Sequence, residues 1–157
     1  MSFPANLFGM ADLPTAGAGG QNRFEIVDAL VTPQNNVLFG LPMDEERYRE
    51  AIQLACLEPD LLSIKGGDQA EIGERGINLS GGQKMRISIA RAVYSDTDTI
   101  IFDDPLAAVD AHVAASLFYN LIAGKLKSKA ILLVTNQLQF LRDTTRIVVL
   151  DEGWWQP

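Results

Sequence analysis

Apolar positions along this chain repeat with two different periods, and the change between them divides it into halves. After Ser80, Met85, Ile89 and Val93 recur at every fourth residue with Ala90 beside them, which predicts an amphipathic helix whose Lys84, Arg86 and Arg91 remain for solvent or anions. Thr99–Phe102 and Ala130–Val134 are instead continuous apolar runs rich in β-branched residues, the pattern of parallel strands buried on both faces. Between them, His112 to Leu126 sets Val113, Leu117 and Leu121 on one side of a helix. A short helix near Leu138 to Leu141 leads to a third expected strand, Arg146–Leu150. Strand, helix, strand, helix, strand implies right-handed crossovers and a parallel βαβαβ half-sheet.

The upstream half reads differently. Asp44 is an N-cap with Glu45 and Glu46 in the first turn, and Tyr48, Ile52 and Cys56 line one face of a helix expected to end near Pro59. The expected fold class is therefore α/β, with a helical subdomain over residues 31–96 followed by the sheet over 97–157. Residues 1–30 match neither pattern, and Ala16–Gly20 reads as flexible linker.

Composition narrows the function classes. A chain of 157 residues supplies one domain with a real core, and its net charge of −7 argues against nucleic acid or an anionic membrane surface as a direct partner. The single cysteine, Cys56, excludes a disulfide framework and reads as core packing. No apolar run reaches the ~18 residues of a membrane span. His112, Trp154 and Trp155 carry no pattern that points to chemistry, and Lys125, Lys127 and Lys129 read as a solvated helix end.

The chemistry lies in Leu79-Ser80-Gly81-Gly82-Gln83 and in Asp103-Asp104. Ser80 is a helix N-cap, and the glycines after it leave backbone N–H groups uncovered at the positive end of the helix dipole, where phosphate binds. Asp103 stands at the C-terminal edge of a predicted parallel strand, where ligands meet such sheets.

These two pieces, in this order and a helix apart, resemble the signature motif and Walker B strand of ATP-binding cassette ATPases, a branch of the P-loop NTPase fold. Asn36-Val37-Leu38-Phe39-Gly40, Glu46-Arg47-Tyr48, Cys56-Leu57, Asp60-Leu61, Gly67-Asp68 and Glu71-Ile72-Gly73-Glu74-Arg75-Gly76 extend the likeness to C-type transporters of the multidrug-resistance-associated kind. It runs from about Asn36 to Gly153. The resemblance implies ATP and Mg²⁺ as cofactors and Asp103 as the magnesium aspartate. It makes Asp110 the D-loop aspartate and gives Leu79 to Gln83 the task of capping, in trans, ATP held by a second cassette packed head to tail. It further implies transmembrane domains as partners at the cytosolic face of a membrane, and ATP-driven export of organic anions or conjugates. A non-catalytic half-cassette acting as an interaction module is the alternative.

Some positions depart from that pattern. Asp104 falls where active cassettes place a catalytic glutamate, and Asn136 falls where they place the switch histidine. Both substitutions point to the degenerate first cassette of such transporters. No stretch matches the Walker A loop, G-x-x-x-x-G-K-[ST]. Gln34 has two readings, the Q-loop glutamine at the end of a strand or a turn residue after Pro33.

Overall fold

A computed structural model describes residues 32–72, 78–151 and 154–156. The flexible-linker reading of Ala16–Gly20 and the stretch Gly73–Gly76 lie outside the described residues.

Helices come first. α1 spans Pro33–Leu38, with Thr32 as N-cap accepting from the Asn35 N–H and Pro33 in the first turn. Gln34 is thus the second residue of a helix, neither a strand end nor a turn residue. α2 spans Glu45–Leu54, and the Asp44 carboxylate accepts from the N–H groups of Glu46 and Arg47 as its sequence predicts. The helix stops earlier than its apolar face suggested, because Cys56 adopts a left-handed conformation (φ 54°) and Pro59 opens the separate α3, Glu58–Ser63. A single 3₁₀ turn follows at Gly67–Gln69. Tyr48 and Ile52 are buried, whereas Cys56 is half-buried with its Sγ donating to Ser116 Oγ at 3.4 Å.

α4, Gly81–Ser95, is the central helix. Ile87, Ile89, Ala90, Val93 and Tyr94 are its buried face. Of the three cations expected to meet solvent or anions, Arg86 meets a carboxylate and Arg91 meets neither. Arg86 makes a paired contact with the Asp60 carboxylate, Nε to Oδ2 at 2.5 Å and an amino group to Oδ1 at 2.9 Å. Arg91 is only 9% exposed and donates to the backbone and side-chain oxygens of Asn36 at 2.6 and 2.9 Å, with its guanidinium 4.8 Å from the Phe39 ring. Burial lowers the Arg91 pKa to about 10, still charged at neutral pH. The sequence period missed this because Arg91 lies beside Ala90 on the rim of the stripe, where a long side chain reaches inward to a polar partner on α1. Tyr94 completes the joint, its hydroxyl accepting from the Asp44 N–H at 2.9 Å and donating to the Pro42 carbonyl.

β1, Thr99–Asp103, pairs in parallel with β2, Ala130–Val134, in the register Thr99↔Ala130 to Asp103↔Val134. α5, Ala111–Ser116, crosses between them and continues as a π-helix, Leu117–Lys125. The sheet corrects two expectations. Burial along β1 alternates, so one face is covered while Ile101, Leu132 and Val134 stand 37%, 50% and 49% exposed on the other. The third expected strand does not join β1 and β2. A 3₁₀ helix, Leu138–Asp143, leads to β3, Val149–Asp151, which forms an antiparallel pair with β4, Trp154–Gln156. Two strands supply no covered second face or third parallel neighbour for that apolar run, and a hairpin satisfies its backbone locally.

One core joins the helical and sheet halves, running through Leu57 and Ile87 to Phe102, Leu106, Phe118 and Phe140. No described helix is long and apolar enough to cross a membrane.

Candidate functional site

Ser80 fixes the start of α4. Its Oγ accepts from the Gln83 N–H at 3.2 Å while Gln83 Oε1 accepts from the Ser80 N–H at 2.9 Å, a reciprocal capping box. The side-chain oxygen of Gln83 is therefore committed within the helix start, a use that the motif alone did not reveal. Leu79 is buried beneath it. Replacing Ser80 by Ala removes one side of the box and is expected to cost about 1 kcal/mol of chain stability, read as a lowered urea midpoint with unchanged m-value.

The two glycines do different things. A Cβ at Gly81 would meet no atom within 4 Å. At Gly82 it would stand 2.9 Å from the Ala108 carbonyl and 3.4 Å from the Arg86 guanidinium, so this chain's own loop requires the glycine. Gly81 lacks any such internal reason.

The acids lie at the C-terminal edge of the sheet. Asp103 is the exposed last residue of β1. Asp104 turns the chain in a left-handed conformation (φ 47°), which Asp tolerates better than most side chains, and its N–H donates to the Val134 carbonyl at 2.9 Å. Among the described residues, its Oδ1 is the buried side-chain oxygen or nitrogen left without a hydrogen-bond partner. Buried polar atoms in this condition call for an explanation, and a bound water or ion supplies one. Asn136, exposed, follows β2, and the pairing of Asp103 with Val134 brings it to the same edge. No group of three or more His, Cys, Asp or Glu gathers as metal ligands among the described residues. Asp103 at the strand end and the unpartnered Asp104 Oδ1 are hard oxygen donors, of the kind that magnesium takes in small number together with phosphate and water.

The loop from Asp104 to Asp110 links the two groups. Pro105 and Leu106 are buried, the Gln137 Nε2 donates to the Leu106 carbonyl at 2.7 Å, and the Ala108 carbonyl lies against Gly82. Asp110 ends the loop as the N-cap of α5, accepting from the His112 and Val113 N–H groups at 2.9 and 3.0 Å. Those bonds, that to Val113 foremost, hold its carboxyl below the usual carboxylate range. A lowered folded-state pKa contributes stability above the ordinary carboxylate range and loses it as pH falls through the folded value. Acid titration by circular dichroism should show α5 loosening in that window, and Asp110→Asn, which caps without titrating, should flatten this limb.

Residues that the sequence reading passed over are Gln137, Ala108 and the Asn36–Arg91 pair. Only the glycine at position 82 carried a signal, since a glycine inside a helix start asks what approaches it.

Residues 31–107 match the family model described as ABC transporter. Relatives from Dictyostelium discoideum include ABC transporter C family member 2, 56% identical over 120 residues, and member 3, 54% identical over 122 residues. Member 8 is 50% identical over 125 residues. These alignments cover 76 to 78% of this chain and 8 to 9% of the relatives' own length.

Proposed function

Since the chain belongs to the ABC transporter family, in its C-type branch, we propose that it forms part of the first nucleotide-binding domain of an exporter of organic anions or conjugates, and that its α4 N-terminus caps ATP held by a partner cassette. The observation that carries the reading is the contrast at the glycines. Gly82 is explained from within by Ala108, while Gly81 faces open space beside a capped helix start, as a surface awaiting phosphate must. Gly81 and Gly82 would bring backbone N–H groups to that phosphate and Ser80 its hydroxyl hydrogen, with Leu79 and Gln83 fixing the helix start. When bound, ATP and its Mg²⁺ supply the phosphoryl chemistry.

The chain's own acids have a separate part. Asp103 would hold the cation of this cassette's own nucleotide, and Asp104, one methylene shorter than glutamate, would hold a water through the unpartnered Oδ1 with poor reach for general-base work. Asn136 can donate a hydrogen bond to phosphate but carries no charge. Asp110 positions the loop by capping α5. The pairing with a second cassette would be head to tail, the membrane domains acting through this assembly, and Gln34 would serve from α1 rather than from a strand.

The test mixes the 157-residue chain with a Walker A-bearing cassette that binds but does not hydrolyse Mg-ATP, and follows association by light scattering. A complex with ATP that dissolves with ADP is expected. Association indifferent to the nucleotide would support instead the reading as a non-catalytic interaction module.

A further inference from the structure

We propose that Gln137 is a positioning residue, which holds the Leu106–Asp110 loop against Gly82 and so sets the N-terminus of α4 from the switch side of the sheet. Its amide has a defined orientation. Oε1 accepts from Gln139 Nε2 at 2.9 Å, and the backbone N–H donates to Thr135 Oγ1 at 3.1 Å, so the NH₂ end is the one presented to the Leu106 carbonyl at 2.7 Å. Leu106 itself is fully buried, and a carbonyl in such a place has little water to replace a lost donor. Two residues further along the loop, the Ala108 carbonyl lies so close to Gly82 that a Cβ there would stand 2.9 Å from it. The two backbones leave no room for a methyl group between them, so movement of the loop toward α4 is opposed by contact.

The line from Asn136 through Gln137, Leu106 and Ala108 to Gly82 therefore joins the edge that carries Asp103 and Asp104 to the start of α4. Neither end of it needs a nucleotide to exist. Its functional meaning rests on the reading of α4 as a cap: Gln137 then ties the switch side of this cassette's own site to the surface presented to the other site. Asn136 lacks the charge of a histidine, and a neighbour that anchors by hydrogen bonding alone keeps this connection independent of pH in the neutral range.

Hydrogen exchange on the full 157-residue chain tests the connection without relying on ATP. Gln137→Leu removes the donor, and exchange is expected to accelerate about tenfold both in residues 104–110 and in residues 80–86 at the start of α4, with the far-UV spectrum retained. Gln137→Glu keeps the length without the donor and should do the same, which covers the case in which the leucine variant unfolds. Combined with Gly82→Ala, the effects should be strongly non-additive, since both act through one loop. Acceleration confined to residues 135–140, or additive effects, would overturn the proposal. In a complete transporter carrying this cassette, Gln137→Leu should lower kcat for ATP hydrolysis with the KM for ATP unchanged, and Gln137→His, which restores a side-chain N–H, should recover part of it. Coupled exchange with an unchanged kcat would sustain the connection and refute the capping role of α4.

Discussion

Gly81→Asp, introduced into a complete transporter carrying this cassette, is expected to abolish most ATP-driven transport while the protein still folds and reaches the membrane. The fold has no objection to the substitution, because a Cβ at this position meets nothing within 4 Å and a carboxylate in the first turn suits the helix dipole. The objection comes from the ligand. Unit charges about 4 Å apart at an effective dielectric of about 20 repel by about 4 kcal/mol, which against about 1.4 kcal/mol per decade corresponds to a loss of 10² or more in closure. Transport and ATPase rates in membrane vesicles provide the measurement, with surface expression as the control for folding. Retained transport at normal expression would end the reading of this helix start as a phosphate cap.

The neighbouring glycine separates a phosphate contact from a packing constraint. Gly82→Ala pushes a methyl group into the Ala108 carbonyl, so it should lower the stability of the chain itself by on the order of 1 kcal/mol, visible in denaturant without any nucleotide. Gly81→Ala should leave that stability unchanged within a few tenths of a kcal/mol. A motif that reads as one unit in sequence thus divides into a residue kept small for this chain and a residue kept small for something outside it.

Local signals in the sequence were legible wherever a short-range rule decided the outcome. The caps at Asp44 and Ser80, the helix stripe through Ile89 and Val93, and the parallel pairing of Thr99–Asp103 with Ala130–Val134 follow from spacing and side-chain chemistry alone. What escaped depended on partners far along the chain. Arg91 is buried because Asn36, 55 residues earlier, offers two oxygens to it. The covered and open faces of β1 depend on which layers are present, which no strand encodes by itself. At the site, position and residue type identified Ser80 to Gln83, Asp103, Asp104 and Asn136, but the approach of Ala108 to Gly82 and the orphaned oxygen of Asp104 are properties of the folded loop.

Phe118, in the helix between the strands, supplies the largest expected loss of stability. The four-residue spacing of Val113, Leu117 and Leu121 over His112 to Leu126 names one edge of the core face, and Ala114, Phe118 and Ile122, again four apart, complete it. The segment winds as a π-helix from Leu117 to Lys125, with Leu117, Phe118, Leu121 and Ile122 buried together. Gly124 permits this, since a Cβ there would lie 2.7 Å from the Tyr119 carbonyl. Phe118 is 1% exposed, stacks on Phe140 with ring centres 4.6 Å apart, and meets Tyr119 edge-on at 5.2 Å. Truncation to alanine therefore removes a buried ring, one stacked pair and one edge contact. A cost of about 3–5 kcal/mol is expected, a large share of the roughly 5–15 kcal/mol available to a domain. Phe118→Leu retains most of the volume and should cost far less, about 1 kcal/mol. Urea unfolding of the three proteins provides the comparison: an alanine variant within 1 kcal/mol of the parent would show that the π-helical packing of Phe118 on Phe140 does not hold the switch segment to the core.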